Sequence, residues 1–215
     1  DDESAYRVWR YLREGGVQNA MQLINFVTSE YLPQYCSNKN FQWQEPKALP
    51  NCSIYMPSQN ATVNRPATLV EWQERWRLKQ ASSTPVALLL FYKSHLQSAN
   101  TSMFDALIDT LEAHDLSPLP IAITSLKDEA SLTLVNELIE HTDAHLILNT
   151  TSFATNIVDT PNLSSQPSDF ISPFLRDIPV LQLILSGSTE EDWRSHTQGL
   201  RSRYIAMQVV LPEMD

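Results

Sequence analysis

Five mostly apolar runs recur through the second half of the chain, and each has a polar residue at or just past its C-terminal end. They cover residues 86–92, 119–124, 145–148, 179–185 and 207–211. Strands that are apolar along their whole length, rather than at alternate positions, are typical of a parallel sheet covered on both faces. The pattern therefore predicts five strands of one mainly parallel sheet.

The segments between the first and second runs and between the second and third runs have the apolar spacing of helices. The apolar positions there recur three and four residues apart, at Phe104, Leu107, Ile108 and Leu111 and again at Leu132, Val135, Leu138 and Ile139. Alternation of buried strands with such helices is the signature of βαβ units. We therefore predict an α/β fold with an open, mainly parallel, five-stranded flavodoxin-like (Rossmann-like) layer.

The first part of the chain predicts two helices, over residues 6–13 and around residues 20–27. In the second, one apolar stripe is formed by Ala20, Leu23, Ile24 and Val27. Gly15 and Gly16 separate the helices, and we expect them to form a turn. Close approach to a ligand is the alternative role for these two glycines.

Prolines dominate the next segment, residues 33–66, and predict an ordered but irregular loop there. Thr68 and Glu71 match a capping box that opens another helix, with Trp72 and Trp76 as expected core residues. We therefore divide the chain into an N-terminal helical and irregular extension, residues 1–84, and an α/β domain, residues 85–215.

Open α/β sheets bind ligands beyond the carboxyl ends of their strands. Polar residues at or near those ends are therefore candidate ligand-binding groups: Lys93, His95, Asn149, Gln182 and Ser186. The long segment 153–176 follows one of these ends, and we expect it to act as a lid or lining. A second capping box at Ser188 and Glu191 predicts a helix that starts close to the fourth strand end.

Glu213 follows the last apolar run, and apolar neighbours raise the pKa of a carboxyl group. A carboxylate in such a place can transfer a proton or bind a hard metal ion. The alternative is an ordinary surface residue in a turn.

Composition excludes several classes of function. Only 4 glycines occur, and they form no phosphate-binding glycine loop. The net charge of -10 argues against a nucleic-acid surface, and no apolar run reaches the roughly 18 residues of a membrane span.

Cys36 and Cys52 have no metal-ligand spacing, so we expect no metal site and two reduced thiols in a cytoplasmic protein, with a disulfide as the alternative.

Several motifs, in order along nearly the whole chain, resemble the large subunit of cobaltochelatase (CobN-type) and its magnesium-chelatase relatives. They are YLREGG at 11–16, LFYKS at 90–94, ITSLKD at 123–128, LNTTSF at 148–153, IPVLQ at 178–182 and AMQVVLPEMD at 206–215. Each motif alone is weak evidence of kinship, but together they are specific.

The resemblance implies a tetrapyrrole-binding part of a chelatase that inserts Co²⁺ or Mg²⁺ into a corrin or porphyrin precursor, with the cobalt branch and cobalamin biosynthesis favoured. It implies that ATP is hydrolysed by AAA+ partner subunits and that this chain binds no cofactor. It also implies Glu213 as a catalytic carboxylate, since metal insertion must remove two pyrrole protons. The chain is then an internal fragment of a larger subunit, which we expect to be inactive alone.

Two alternatives remain open on the sequence. One is a small-molecule-binding α/β module without chemistry of its own, and the other is a docking module for the ATPase subunits.

Overall fold

A computed structural model describes residues 2–35, 41–57, 65–77, 84–151, 173–195, 199 and 201–206. Its centre is a sheet with the strand order β2-β1-β4-β3-β5-β6. The strands are β1 (Cys52–Met56), β2 (Arg65–Ala67), β3 (Val86–Tyr92), β4 (Ser117–Ile123), β5 (Ala144–Asn149) and β6 (Val180–Gln182).

The sheet is mainly parallel, as predicted. Strand β3 lies between β4 and β5, and β6 continues beyond β5, all in parallel. Taken in chain order, these four strands have the arrangement 2-1-3-4, which is the order of the flavodoxin-like fold. The α/β fold class is therefore confirmed, and the described residues form four of the five predicted strands together with two unpredicted ones, β1 and β2. The fifth predicted run, residues 207–211, lies outside the described residues.

The predicted helices are present, and two short helices, at Ser94–Gln97 and Ser202–Ile205, were not predicted. The helices are α1 (Asp2–Glu14), α2 (Gly16–Tyr31), α3 (Leu69–Trp72), α4 (Ser94–Gln97), α5 (Ser102–Ala113), α6 (Glu129–Thr142), α7 (Glu190–Ser195) and α8 (Ser202–Ile205), with a 3₁₀ turn at Pro33–Tyr35 and a π-helical turn at Gln73–Arg77. Thr68 forms the predicted capping box with Glu71, and the Asp128 side chain accepts a hydrogen bond from the Ser131 amide. Helix α7 starts where it was predicted, but its cap is Thr189 rather than Ser188, since Thr189 Oγ1 accepts from the Asp192 amide at 3.1 Å.

The core surrounds β3 and β4, whose side chains are almost entirely inaccessible to solvent. Helix α5 packs on one face of the sheet, where Phe104 stacks on Phe91 with ring centroids 4.2 Å apart. Trp72, a predicted core residue, donates its indole N–H to Pro118 O at 2.7 Å. Trp76, the other, is also buried.

The prediction that residues 33–66 are irregular throughout is wrong. Residues 41–50 have no regular structure, but β1 pairs antiparallel with both β4 and β2. Strand β1 was missed because it is short and lies between Pro50 and Pro57. Pro66 is tolerated because β2 is the edge strand, where a missing N–H costs no ladder bond. The domain boundary between residues 84 and 85 stays a prediction. Strands β1 and β2, which precede it, belong to the same sheet as the strands that follow it.

The N-terminal helices are held together by the irregular segment. The Asn19 side chain donates to Lys47 O at 2.8 Å and accepts from the Lys47 amide at 3.0 Å. Phe26 packs edge-to-face on Trp43 with centroids 5.0 Å apart. Helix α2 therefore buries the face of Asn19 and Phe26, whereas Ile24 of the predicted apolar stripe is 63% exposed. The helix was predicted correctly and its packing face was not.

Candidate functional site

The carboxyl ends of β5 and β6 carry a closed network of polar side chains. Asn149 is fully buried and donates from Nδ2 to Gln182 Oε1 at 2.8 Å. Its Oδ1 accepts from the amide of Thr151 at 3.1 Å and from the Thr151 hydroxyl at 2.9 Å. Gln182 Nε2 donates to Thr151 O at 2.7 Å. The structure thus brings together Asn149 and Gln182, two of the predicted site residues.

Thr150 lies directly after β5 and bonds to β3, at the place in the sheet where the strand order reverses. Its amide and its hydroxyl both donate to Leu90 O, at 2.9 and 2.7 Å. In open α/β sheets this crevice is the usual ligand position. Here a buried threonine ties the two strands together, so that the polar residues of this crevice bond mainly to the protein itself. Neither Thr150 nor Thr151 was chosen as a site residue, although both lie in the polar stretch that follows the β5 run.

Lys93 begins the turn after β3 and reaches toward the irregular segment. Its Nζ donates to Leu49 O at 3.3 Å and to Asn51 Oδ1 at 3.2 Å. Both acceptors are neutral oxygens, so these contacts position the ammonium group without cancelling its charge. Lys93 is therefore chemically suited to pair with an anion at this edge.

His95 lies in α4 and packs edge-to-face on Phe104, with ring centroids 4.9 Å apart. Burial lowers the pKa of His95 below its usual value, and a hydrogen bond with the Asn100 backbone opposes this shift. The imidazole is consequently neutral at pH 7. It is a half-buried side chain against the core rather than a free cation.

Ser186 follows β6, and its hydroxyl accepts a hydrogen bond from the Ser188 amide at 3.2 Å. Glu213, the predicted catalytic carboxylate, lies outside the described residues, as does most of the 153–176 segment. The roles of Glu213, Ser186 and the other chosen residues in binding or catalysis stay predictions.

A cavity of about 200 Å³ lies beside the start of α2. Its walls come from four separate parts of the chain: residues 15–19, residues 47–50, Pro66 and Leu96. Leu49, which accepts from Lys93, is one of the lining residues, so the cavity is next to the carboxyl end of β3. Ligand pockets for whole drug-sized molecules span roughly 300–1,000 Å³, so this space fits one substituent of a large ligand rather than the entire molecule.

The two glycines of the turn have different surroundings. Gly15 has φ +64°, and a Cβ there would lie 2.7 Å from Gln97 O, so both the turn and the packing on α4 require glycine. A Cβ on Gly16 would come no closer than 3.7 Å to any neighbouring atom. Gly16 nevertheless has a φ of +83°, so the turn role expected for the pair is met at both glycines, and both line the cavity.

Cys52 is a free thiol at the start of β1. Burial, followed by the nearby charge of Asp128, raises the pKa of this thiol to about 12. The thiol therefore stays protonated at neutral pH and is a poor nucleophile or metal ligand. Cys36 lies outside the described residues.

Among the described residues, no group of three or more His, Cys, Asp or Glu side chains is arranged to hold a metal ion. No helix in the described part of the chain is long and apolar enough to cross a membrane.

Comparison with known proteins identifies the family. Residues 9–215 match the sequence model of the family CobN/Magnesium Chelatase. The chain is 40% identical over 213 residues to the aerobic cobaltochelatase subunit CobN of Pseudomonas aeruginosa, covering 99% of this chain and 15% of that protein. It is 23% identical over 209 residues to the chloroplastic magnesium-chelatase subunit ChlH of Oryza sativa subsp. indica, covering 94% of this chain and 15% of the relative.

A solved structure gives the same fold. The catalytic subunit of cobaltochelatase from Mycobacterium tuberculosis superposes with a TM-score of 0.66 at 24% identity, covering 99% of this chain and 16% of that one. The chain thus spans about 15% of the length of the curated relatives it matches. The match to the family model over almost the whole chain shows that this protein belongs to the CobN/magnesium chelatase family.

Proposed function

We propose that this chain is part of the tetrapyrrole-binding large subunit of a metal chelatase that inserts Co²⁺ into a corrin precursor. The observation that carries the proposal is its 40% identity to the aerobic cobaltochelatase subunit CobN of Pseudomonas aeruginosa across 99% of the chain. The metal ion is a substrate of this reaction, which enters from solution and leaves in the product.

The choice of cobalt over magnesium rests on the order of the identities. The two CobN relatives, from Pseudomonas aeruginosa and Sinorhizobium sp, are 40% and 32% identical to this chain. The rice magnesium-chelatase subunit is 23% identical over a similar length. Differences of this size favour the cobalt side of the family.

Metal insertion needs a base, because two pyrrole N–H protons must leave as the ion enters the ring. Glu213 is our proposed base, because its carboxylate follows the apolar residues 209–211 closely and a carboxylate can accept these protons. The ring nitrogens hold the ion, so this step requires no cluster of metal-ligating side chains in the protein. Following the family resemblance, we assign ATP hydrolysis to AAA+ partner subunits, and these 215 residues contain no glycine-rich phosphate loop.

Binding of the macrocycle is assigned to the carboxyl edge of the sheet around Lys93. The macrocycle carries carboxylate or amide substituents, and an ammonium group held by two neutral oxygens can pair with a carboxylate. The cavity beside α2 is next to this lysine and is large enough to admit one such substituent. His95, Asn149, Gln182 and Ser186 complete the proposed lining of the edge.

The experiment is a side-by-side titration of the full-length subunit with a hydrogenobyrinate-type ligand and with protoporphyrin, followed by tryptophan fluorescence. We expect quenching with about micromolar or tighter affinity for the corrin-type ligand, and weaker quenching by protoporphyrin. Lys93→Met should weaken binding about tenfold, while the matched substitution Lys127→Met, at an exposed lysine, should not. Absence of quenching by either ligand would contradict the proposal.

Catalysis is tested separately from binding. Glu213→Gln in the full-length subunit should abolish cobalt insertion in the presence of the ATPase subunits while macrocycle affinity is retained. Unchanged turnover of this variant would exclude Glu213 as the base and leave the binding proposal in place.

A further inference from the structure

The two N-terminal helices have an apolar outer face that the described part of the chain does not cover. We define this outer face by Tyr6, Trp9 and Leu12 of α1 and Met21, Ile24 and Tyr31 of α2. Each of these side chains is between 47% and 67% exposed. Tyr6, Trp9 and Tyr31 alone expose on the order of 300 Å² of surface. Exposed apolar patches of a few hundred Å² or more often mark interaction sites.

The outer face lies opposite the face that packs on this chain. With 100° between successive residues, Trp9 projects about 160° away from buried Tyr11, and Ile24 about 160° away from buried Phe26. Helix α2 is thus apolar on two opposite sides, whereas α1 has a single apolar side that is too wide to be covered by the contacts around Tyr11. Helices with two apolar sides are normally enclosed on both.

Charge is nearly absent from the outer face of α2. Positions 17, 20, 21, 24, 28 and 31 carry no Asp, Glu, Lys or Arg, although the chain as a whole has 15 basic and 25 acidic residues. Such a surface has no charge pattern to steer or select a separate, freely diffusing partner.

On α1 the one cation at the outer face is already engaged. The Arg13 guanidinium lies 4.9 Å from the Trp9 ring centroid and pairs with Glu14 at 3.0 Å, and Tyr6 stacks on Trp9 at 5.5 Å. Stacked aromatic side chains with an arginine are typical of the centre of a protein interface. The side chains of α1 are therefore pre-arranged as a packing surface.

We propose that another segment of the same, longer polypeptide covers this outer face permanently. The chain spans only 15% of its curated relatives, so most of such a subunit lies outside these 215 residues. A covalently connected segment is present at an effective concentration of about millimolar or higher, which lets an uncharged apolar surface stay buried without electrostatic guidance. Permanent interfaces of this kind are more apolar than transient ones.

The test is hydroxyl-radical footprinting of the full-length subunit that contains this chain, with oxidation read by mass spectrometry. Each residue's rate in the native protein is divided by its rate in the urea-denatured protein. We expect Tyr6, Trp9 and Ile24 to be protected more than about fivefold, as Trp72 in the core is. Protection below that level overturns the proposal. Protection that rises with subunit concentration, or that requires an added protein, also overturns it, since the occupant is then a second copy or a separate partner.

A variant gives a second, independent reading. Ile24→Asp should raise the oxidation rate of Met21 more than about fivefold, because a buried carboxylate displaces the covering segment. The matched control Gln18→Asp adds the same charge at an exposed position of α2 outside the outer face and should leave Met21 protected. Continued protection of Trp72 shows that the core is intact, and an unchanged Met21 rate in Ile24→Asp contradicts the inference. If the variant does not fold, the wild-type footprint decides.

Discussion

Strands β3 and β6 come from similar apolar runs and have opposite surroundings. In β3, every residue from Val86 to Phe91 is fully buried. In β6 all three residues are exposed, with Leu181 at 52%. Both strands are apolar and lie in parallel in the same sheet. Their different solvent exposure therefore comes from the elements that pack around them.

Strand β3 has a parallel partner on each side and α5 over one face. Within the described residues β6 pairs with β5 alone. The comparison teaches that an apolar run predicts a strand but not its burial. Residues near β3 bury it, whereas the described residues leave β6 exposed. For a protein that spans a small share of its relatives, exposed apolar strands and helices are the expected result.

The comparison is tested most strongly by truncating one leucine in each strand. Leu90→Ala should lower the free energy of unfolding by about 3 kcal/mol, because it leaves a cavity in a closed core. Leu181→Ala, the matched change in β6, should cost less than about 1 kcal/mol, since half of its side chain is already in water. Urea titration of both variants gives the two values. Equal losses would show that β6 is as well packed as β3.

A second test concerns how β6 is attached. Asn149→Ala removes the side-chain bonds to Gln182 and Thr151 and should cost about 2 kcal/mol, because Asn149 is fully buried. Amide hydrogen exchange should accelerate at Leu183, whose N–H bonds to Asn149 O.

Its control is Asn25→Ala, which removes one long 3.3 Å bond to Gln42 O at an exposed position. That change should cost less than about 0.5 kcal/mol. If Asn149→Ala leaves the Leu183 exchange rate unchanged, the side-chain network does not hold β6 in place.

The smallest expected effect is a pH dependence at the end of β3. Burial lowers the pKa of folded His95, so the unfolded chain binds the proton more readily than the folded one. The contribution of His95 to stability is therefore fully present above the unfolded pKa of about 6.5 and is lost as the pH falls through the folded pKa. The slope must stay below about 1.4 kcal/mol per pH unit, the ceiling for one proton. Urea titrations between about pH 5 and 8 should show a shallower slope for His95→Gln, and an identical slope would mean that His95 does not contribute.

Periodicity and capping predicted most of the fold because those signals are local. Thr68 and Asp128 mark helix starts through bonds to amides three residues away, and the runs of β3 and β4 are long enough to identify alone. Strand β1 could not be found in this way, since its identity as a strand depends on the edge that β4 presents.

The packing face of α2 shows a second limit. Counting apolar residues favours the side of Ile24, yet the structure buries Asn19 because its amide bonds to the backbone of residues 15 and 47. A buried, fully bonded asparagine gives no signal in an apolar pattern. The apolar side that remains exposed is the one for which we propose a covering segment.

The candidate site was predicted in part. The end-of-strand rule placed Asn149 and Gln182 together, because consecutive parallel strands bring their carboxyl ends to one edge. It could not show that their side chains bond to each other, nor that Lys93 turns toward Leu49 and Asn51. The cavity beside α2 was beyond prediction, since its walls come from four segments that are distant in sequence.

The antiparallel strand β1 has a consequence for synthesis on the ribosome. Asn51, just before β1, accepts hydrogen bonds from Thr124, which lies 73 residues later in the chain. At roughly 5–20 residues per second, translation takes several seconds to deliver that partner. Strand β1 therefore leaves the ribosome well before its partner, and it cannot take its place between β2 and β4 until β4 has left the exit tunnel.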